Sequence, residues 1–378
     1  MRRTLHDAWW RLTTVPPDSL TDTLLGGVLR GGAVLYGLGV GLRNAAYDRG
    51  WLRQARLSCP VISVGNLSVG GTGKTTCVAY LADKLRQQGW RVAILSRGYG
   101  GRVHRPYRLT VRDGQVFVND QPAIRWGDGL PDEPQLLAAQ LAGVPVLVGT
   151  RREQTGKMAT EACRADVVIL DDGFQYRRLA RECEIVLVNA RMPLNGWPLL
   201  PRGPMREPLS SLRRADVIII TKADQSLDVV AALQERLKAF NPTAVMATAI
   251  HEPEGLWDGF TSEPVALDRL ANSRVSLLSS IGDPEGFEQT VRRLGATVVS
   301  HAAYPDHHRY ELREWQQIVD AAAASGASAL VTTEKDLIRL RHVSRIQTAV
   351  PVWVLRIRMR LLSGDEGLDA RLARVGAR

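Results

Sequence analysis

The feature that most restricts the fold of this chain is the glycine-rich stretch VGNLSVGGTGKTT at residues 64–76. A short apolar run precedes it and a helical pattern follows it, which is the setting of a phosphate-binding P-loop. The spacing G-x-x-x-x-G-K-[ST] is met by Gly73, Lys74 and Thr75, but Ser68 occupies the position of the first glycine. A small polar residue is tolerable at the loop entry, and the GGTGKT core is intact. We therefore expect the backbone N–H groups of this loop to surround the phosphates of a nucleoside triphosphate.

The residues of this loop are predicted to bind the nucleotide: Ser68, Val69, Gly70, Gly71, Thr72, Gly73, Lys74, Thr75 and Thr76. Lys74 is expected to reach the β- and γ-phosphate oxygens, and the Thr75 hydroxyl is expected to coordinate Mg²⁺. A second stretch, ADVVILDDGFQYRR, reads as a strand that ends in Asp171 and Asp172. Because Mg²⁺ in such sites is held by one or two carboxylates and the substrate phosphates, either aspartate is a candidate ligand.

Apolar runs alternate with helical stretches along most of the chain. Such runs indicate a parallel sheet covered on both faces, and they occupy residues 60–66, 91–98, 144–149, 165–170, 184–189, 215–221, 275–282, 295–301, 327–336 and 350–359. The pattern restarts after about residue 225, so we place a hinge between two α/β units near 222–230. The predicted division is an N-terminal segment 1–56, a P-loop core 57–224 and a smaller α/β domain 225–378, whose last residues are allowed to return to the core.

The N-terminal segment contains a 19-residue run, Leu24 to Leu42, with Arg30 as its one charged residue. Its length is enough to cross a bilayer core, whereas an arginine near its middle costs about 2.5–3.5 kcal/mol on insertion scales. Seven glycines make it a poor water-exposed helix, and basic residues flank it on both sides. These features favour membrane association, by spanning or by lying in the interface; a glycine-rich core helix is the alternative.

Composition narrows the choice of partners. The net charge is +10, which favours polyanions such as anionic lipid, nucleic acid or phosphorylated substrates. No aromatic-basic motif accompanies the charge, so nucleic acid is not an expected partner. Cys59, Cys77, Cys163 and Cys183 are widely spaced with no C-x-x-C pair, which is typical of free thiols rather than of a zinc or redox site.

Several motifs then resemble those of one family, the tetraacyldisaccharide 4'-kinases. GNLSVGGTGKTT, ILSRGYGGR, DEPQLLA, DDGFQYRR, LLPRGPMREP, YPDHHRY and TTEKD occur in that family's order. The resemblance covers about residues 20–340, and the family's loop likewise lacks the first P-loop glycine. It implies an α/β fold with a P-loop NTPase-like core on a mostly parallel sheet, a smaller second α/β domain and a membrane-associated N-terminal helix. It also implies a kinase that uses ATP and Mg²⁺ to phosphorylate the 4'-hydroxyl of a lipid-linked disaccharide 1-phosphate, a lipid A precursor. The expected location is the cytoplasmic face of the bacterial inner membrane, and a monomer is expected.

The resemblance also assigns the group that prepares the hydroxyl. In the family an aspartate of a G-D-E-P motif works with a histidine of the second domain; here these are Asp132 and His307. Pro131 replaces the motif's glycine, and Asp128 in a nearby GDG is a rival to Asp132. Apart from the family, an alcohol that loses its proton needs a nearby acceptor, and a carboxylate oriented by histidine can serve.

Four arginines in loops are candidate anion clamps for the substrate's existing phosphate: Arg97, Arg151, Arg152 and Arg206. Arginine can hold such a phosphate with two parallel hydrogen bonds. For each of them a solvated surface position is an equal alternative.

Two other classes of protein remain open on the residues alone. The segment IIITKAD at 218–224 resembles the [NT]-K-x-D signature with which GTPases read guanine, so a GTPase or GTP-driven metal-insertion factor is one alternative. Such factors usually carry Cys/His metal clusters, which this sequence lacks. A non-catalytic, membrane-attached nucleotide sensor is the other, and it needs the P-loop but neither Asp132 nor His307.

Overall fold

The structure is a computed structural model that describes residues 20–99, 105–112, 115–122, 129–193, 196–224, 227–340 and 348–376. The rival base Asp128 lies outside the described residues. In chain order the helices are α1 (Leu20–Asp48), α2 (Lys74–Gln87), α3 (Asp132–Gln140), α4 (Arg152–Glu161), α5 (Leu227–Phe240), α6 (Pro284–Arg293), α7 (Leu312–Ala324), α8 (Glu334–Leu340) and α9 (Asp365–Gly376).

The strands form a mostly parallel α/β arrangement. In chain order they are β1 (Val61–Asn66), β2 (Val92–Ser96), β3 (Tyr107–Arg112), β4 (Gln115–Val118), β5 (Gln121–Pro122), β6 (Val146–Val148), β7 (Val167–Asp171), β8 (Cys183–Asn189), β9 (Val217–Thr221), β10 (Val245–Asp258), β11 (Pro264–Val265), β12 (Arg274–Ser279), β13 (Thr297–Ala303), β14 (Ala329–Thr333) and β15 (Val352–Ser363). Every residue of β1, β2, β7 and β9 is buried, as continuous apolar strands of a covered parallel sheet require.

The chain divides into two compact units. Unit 1 comprises the described parts of 1–74, 170–250 and 361–378, and unit 2 comprises those of 75–169 and 251–360. The domain boundaries and the hinge near 222–230 inferred from the sequence stay predictions.

Unit 1 carries the P-loop. Its strands β1, β8, β9 and the first half of β10 pair in parallel, with Val64 opposite Ile185 and Ile185 opposite Val217. The apolar face of α5 packs on this sheet through Val230 and Leu233. The carboxyl end of β1 thereby leads directly into the glycine-rich loop.

Unit 2 carries two sheet regions. Strands β12, β13, β14 and β15 pair in parallel, and β2 pairs in parallel with β6. Strand β3 is antiparallel to both β6 and β4. Helix α3 packs against helix α8 within this unit, and this contact brings the DEP and EKD motifs together.

The α/β class and the mostly parallel sheet predicted from the sequence are confirmed, and each predicted apolar run contains a strand. The antiparallel hairpin β3–β4 and the 14-residue strand β10 were not predicted. Among the described residues the four cysteines form no disulfide; Cys77 and Cys183 are buried, and Cys59 and Cys163 are half-buried.

Candidate active site

The P-loop begins in an extended conformation that explains its unusual serine. Ser68 forms an antiparallel bridge with Met205, and the N–H of Val69 donates to the carbonyl of Pro204 at 2.8 Å. Left-handed backbone begins only at Gly70 (φ 102°) and recurs at Gly73 (φ 82°). Because residues with a side chain rarely adopt such angles, glycine is needed at these two positions and not at 68.

Polar side chains hold the loop from behind. The Asn66 amide donates to the Thr72 hydroxyl at 2.9 Å, and the Thr221 hydroxyl donates to the Thr72 carbonyl at 3.1 Å. Thr72 is 3% exposed and Thr221 is fully buried. Side chains of strands β1 and β9 therefore brace the loop at Thr72.

Asp172 meets two cations beside this loop. The Arg206 guanidinium donates to both carboxylate oxygens of Asp172, at 3.0 and 2.9 Å, and the Lys74 ammonium lies 3.7 Å from Oδ1. Arg206 also donates to Asn66. The structure thus groups Lys74, Asp172 and Arg206, and here Arg206 contacts P-loop residues rather than standing alone at the surface.

A close approach of two backbones brings Asp172 to the loop. An added Cβ at Gly65 in β1 would lie 2.5 Å from the Cβ of Phe174 and 2.6 Å from its nitrogen. The N–H of Gly173 donates to the carbonyl of Val64 at 2.9 Å. Asp172 itself has φ 52°, a left-handed conformation that aspartate tolerates better than most residues. Glycine at 65 is therefore a condition for the DDGF turn to reach β1.

The donor set suits ATP and Mg²⁺. The Cβ direction at Gly70 points into open space, with nothing within 4 Å, so a phosphate can approach the backbone there. Asp171 is 3% exposed at the end of β7, and Asp172 keeps 36% of its side chain exposed. Among the described residues no group of three or more His, Cys, Asp or Glu could hold a metal ion. Mg²⁺ in such sites is held by one or two carboxylates and substrate phosphates, and Asp171 and Asp172 are the carboxylates beside this loop.

The first turn of α2 carries the remaining loop residues. Thr75 is half-buried, and the Thr76 hydroxyl lies 3.2 Å from Nε2 of His251. Which of Thr75, Asp171 and Asp172 binds the metal directly stays a prediction.

Unit 2 brings Asp132 and His307 together. Oδ2 of Asp132, in the first turn of α3, lies 3.4 Å from Nδ1 of His307. The Nε of Arg339 donates to the same oxygen at 2.7 Å, and Nη2 of Arg339 lies 3.2 Å from the same histidine nitrogen. The side chain of Arg339 is only 2% exposed. Asp132, His307 and Arg339 therefore form a triad of carboxylate, imidazole and buried guanidinium.

The charge state of Asp132 follows from its neighbours. Burial raises its pKa, but the hydrogen bond that His307 donates when its Nδ1 carries a proton, together with the charge and hydrogen bond of Arg339, outweighs burial and lowers the pKa to about 2. Asp132 is consequently a carboxylate at every physiological pH. A carboxylate this acidic is a good hydrogen-bond acceptor but a weak proton acceptor.

A second ion-pair network braces this group. The Lys335 ammonium lies 3.1 Å from Glu133 and 3.4 Å from Asp306. Burial lowers the pKa of Lys335, but these two carboxylates outweigh it and raise the pKa. His307 has φ 63°, and its N–H donates to the Asp306 carboxylate at 2.9 Å. The DEP, PDHH and EKD motifs are thus joined through charged side chains.

Comparison with known proteins identifies the family. The family model described as "Tetraacyldisaccharide-1-P 4'-kinase" matches residues 27–376. The chain is 40% identical over 375 residues to the tetraacyldisaccharide 4'-kinase of Anaeromyxobacter dehalogenans, covering 98% of this chain and 94% of that protein. It is 41% identical over 336 residues to the protein of that name from Syntrophus aciditrophicus, covering 87% of each. The chain belongs to the tetraacyldisaccharide 4'-kinase family.

A solved structure agrees. The crystal structure of the "apo" form of LpxK from Aquifex aeolicus in complex with ATP superposes with a TM-score of 0.72 at 32% identity, covering 93% of this chain and 99% of that one. The family assignment read from the motifs is confirmed, and with it the class of enzyme, a kinase. Neither a GTPase nor a nucleotide sensor is supported by these matches.

The TKAD segment has a structural place in this kinase. Thr221 supports the P-loop, Lys222 is 8% exposed with φ 58°, and Asp224 is exposed. The hydrogen bond from Thr221 to the P-loop gives the first residue of the TKAD segment a structural role that does not involve binding guanine.

The other predicted arginines lie in unit 2 with different surroundings. Arg97 is exposed at the end of β2, and Arg151 is exposed with its guanidinium 3.1 Å from Glu153. Arg152 is 4% exposed and donates to the carbonyl of Thr150 at 3.2 Å. A substrate role for Arg97, Arg151, Arg152 and Arg206 stays a prediction.

Helix α1 has two different faces. Within the described residues, Leu24–Asp48 is long and apolar enough to cross a membrane by length and composition. One face is tied to unit 1: the Tyr36 hydroxyl donates to the Arg206 carbonyl at 3.0 Å, and Arg43 and Asn44 contact the buried Glu207 at 3.3 and 2.8 Å. The opposite face exposes large apolar side chains at helical spacing, Val28, Leu35, Leu38 and Leu42, each at least 59% exposed.

Sequence reasoning gave no role to Arg339, Lys335, Asp306 or Asn66. One signal was available, because Lys335, Asp336 and Arg339 follow a buried strand at i, i+1 and i+4, and the first and last share a helix face. The partners of Arg339 in the triad, His307 and Asp132, are 32 and 207 residues away in sequence and gave no local signal.

Proposed function

We propose that this chain transfers the γ-phosphate of ATP to the 4'-hydroxyl of a tetraacyldisaccharide 1-phosphate, a lipid A precursor. The observation that carries the proposal is the combination, in one family member, of a glycine-turned P-loop and an ionised Asp132 that contacts His307 and Arg339. The first group can hold a triphosphate, and the second can hold an alcohol by its proton.

The loop residues divide the work of binding the nucleotide. The N–H groups of residues 70–75 surround the phosphates, and the Lys74 ammonium stabilises charge on the transferring group. Thr75 with Asp171 or Asp172 would hold Mg²⁺, which neutralises phosphate charge when it is bound. Arg206, clamped to Asp172 by two hydrogen bonds, keeps that carboxylate oriented.

Asp132 positions the acceptor hydroxyl rather than removing its proton early. Phosphoryl transfer has a loose transition state in which the attacking alcohol keeps its proton until late. With a pKa of about 2, Asp132 remains an anion that accepts the hydroxyl hydrogen bond and aims the oxygen lone pair. The proton leaves as the new P–O bond forms, and His307, in contact with Asp132, is the neighbouring group able to take it.

The substrate is expected to be anionic and acylated. We assign its 1-phosphate to exposed cationic side chains, with Arg97 and Arg151 as the candidates that remain accessible. An apolar groove of about 940 Å³ lies between α1 and residues 198–202, and Arg30 and Arg202 are among its lining residues. We assign this groove to acyl chains.

The exposed face of α1 is assigned to the cytoplasmic face of the inner membrane. Leu35 is 71% exposed and Leu42 is 72% exposed, so this face gains free energy by leaving water. Replacing Leu35 by Asp should lower the protein fraction that floats with anionic lipid vesicles. Leu312→Asp, at an exposed leucine of unit 2 (53%), is the matched control and should float like the unchanged protein. Equal flotation of the two variants would remove the assignment.

The function is tested by incubating the protein with ATP, Mg²⁺ and the disaccharide 1-phosphate lipid. The expected product is a bis-phosphorylated lipid formed with one ADP per lipid, and GTP should support it poorly. ATP turnover without a phosphorylated lipid, or a strict requirement for GTP, contradicts the proposal. That the protein acts as a monomer and without nucleic acid also stays a prediction.

A further inference from the structure

A buried guanidinium lies at the centre of the acid–imidazole group. All three nitrogens of Arg339 have partners: Nε donates to Asp132 at 2.7 Å, Nη1 donates to the Ser280 carbonyl and hydroxyl at 2.5 and 2.7 Å, and Nη2 lies 3.2 Å from Nδ1 of His307. A guanidinium that is 2% exposed is costly to desolvate unless its partners are well placed.

The far side of Arg339 is held rigidly. Asp336, fully buried and 3.6 Å from Nη1, accepts from the Ser280 N–H at 3.0 Å, the Tyr310 hydroxyl at 3.1 Å and the Thr333 hydroxyl at 2.7 Å. Because these donors fix Asp336 and Ser280, the guanidinium plane has one orientation. Its Nε and Nη2 edges therefore present a fixed pair of donors to Asp132 and His307.

The decisive contact is at one nitrogen atom. Nδ1 of His307 lies 3.2 Å from Nη2 of Arg339 and 3.4 Å from Oδ2 of Asp132. A guanidinium only donates and a carboxylate only accepts. Nδ1 can therefore bond Arg339 only when it carries no proton, and Asp132 only when it carries one.

The resting arrangement follows from which contact is better satisfied. Oδ2 of Asp132 already accepts from Nε of Arg339, whereas the only other partner of Nη2 among the described residues is Asp306, at 3.5 Å. A neutral ring that accepts from Nη2 satisfies both groups. The proton then sits on Nε2, which lies 3.8 Å from Asp306 Oδ2, beyond hydrogen-bond distance, and so remains available to an incoming group.

We propose that Arg339 is a positioning residue that sets the tautomer of His307, keeping the resting proton on Nε2 and leaving Nδ1 to accept. When the ring gains a second proton, it goes to Nδ1, and the ring's hydrogen bond passes from Arg339 to Asp132. Arg339 thereby couples the proton on His307 to the carboxylate that orients the acceptor. This inference rests on the proposed function for its catalytic meaning, although the tautomer itself does not.

The test reads the ring protons directly. In long-range ¹⁵N–¹H spectra of the full-length protein labelled at its seven histidines, His307→Gln identifies the His307 signals. The expected result is an unprotonated Nδ1 and a protonated Nε2 in the resting protein, and a proton on Nδ1 in Arg339→Met. An Nδ1 proton in the unchanged protein, or an unchanged tautomer in Arg339→Met, overturns the inference whatever the activity. Should Arg339→Met fail to fold, the tautomer of the unchanged protein still decides.

A kinetic readout separates positioning from mere support of the fold. In Arg339→Met the loss of the cation raises the pKa of Asp132, so the acid limb of kcat/KM should move upward by more than about 1 pH unit. The other charged groups facing the pair, Asp306 and Lys335, are retained. Arg339→Lys keeps the positive charge but loses the paired N–H donors of the guanidinium. It should therefore leave the acid limb of the kcat/KM profile in place and lower kcat by about 10²-fold.

Arg356→Met is the matched control, since Arg356 pairs with Glu334 at 2.6 Å in the same unit and does not contact the triad. Its pH profile and the His307 tautomer should equal those of the unchanged protein. Identical pH profiles for Arg339→Met and Arg356→Met would overturn the inference. Failure of the proposed function would give a different result: the unchanged protein would form no phosphorylated lipid, and the tautomer measured for His307 would be unaffected.

Discussion

Replacing Asp132 by Asn should flatten the pH dependence of stability, by an amount that follows from the triad. The pKa of Asp132 is lowered from 3.8 to about 2; this gap of about 1.8 is worth ~2.4 kcal/mol of folding free energy at neutral pH. Its side chain is only 24% exposed, so solvent screening removes little of this value. Because the folded pKa is the lower one, the stabilisation is fully present above the unfolded value of 3.8 and disappears as the pH falls through 2.

The measurement is urea unfolding at pH 5 and pH 3, followed by tryptophan fluorescence in one detergent. Linkage gives a loss of about 1 kcal/mol from Asp132 between these pH values, so the gap between the unchanged protein and Asp132→Asn should shrink by that amount. Asp268→Asn, which removes an exposed carboxylate of the same unit, should keep the pH dependence of the unchanged protein. A gap for Asp132→Asn that is the same at both pH values refutes the ion-pair account of this residue.

Three further predictions concern the P-loop. Arg206→Lys cannot form both bonds to Asp172, so the Mg²⁺ concentration for half-maximal activity should rise at least about tenfold; an unchanged Mg²⁺ titration contradicts the role of that clamp. Gly65→Ala puts a methyl against Phe174 and should lower the unfolding free energy by about 1–3 kcal/mol, which a thermal melt without loss of Tm would disprove. Thr221→Val removes the donor to the loop carbonyl and should weaken ATP binding about five- to tenfold, measured by calorimetry; equal affinity counts against support from behind the loop.

Much of the fold could be predicted because its signals are local. Continuous apolar runs such as 167–170 and 217–220 can be stable only as covered strands, and GGTGKT between a strand and a helix has few other uses. The hairpin β3–β4 was missed because only three of its ten strand residues, Leu109, Val111 and Val116, are buried apolar side chains. Strand β10 was missed because its second half, with Glu252 and Glu254, is polar and only partly buried.

The candidate site was predictable only in part for the same reason. Short motifs predict the roles of four site residues: Lys74, Asp172, Asp132 and His307. Arg339 does not, because its partners Asp132 and His307 are 207 and 32 residues away and a lone arginine in a helix usually lies in solvent. The serine at the P-loop entry shows the reverse case, in which an apparent defect in a motif is explained by a backbone pairing with Met205.

The most direct test of the central claim is a single-turnover reaction with [γ-³²P]ATP, Mg²⁺ and the disaccharide 1-phosphate lipid, comparing the unchanged protein with Asp132→Asn. The account predicts label on the 4'-oxygen of the lipid for the unchanged protein. For Asp132→Asn it predicts ATP binding within about twofold of normal and transfer slowed by at least about 10²-fold. Transfer at an undiminished rate in Asp132→Asn would contradict the account.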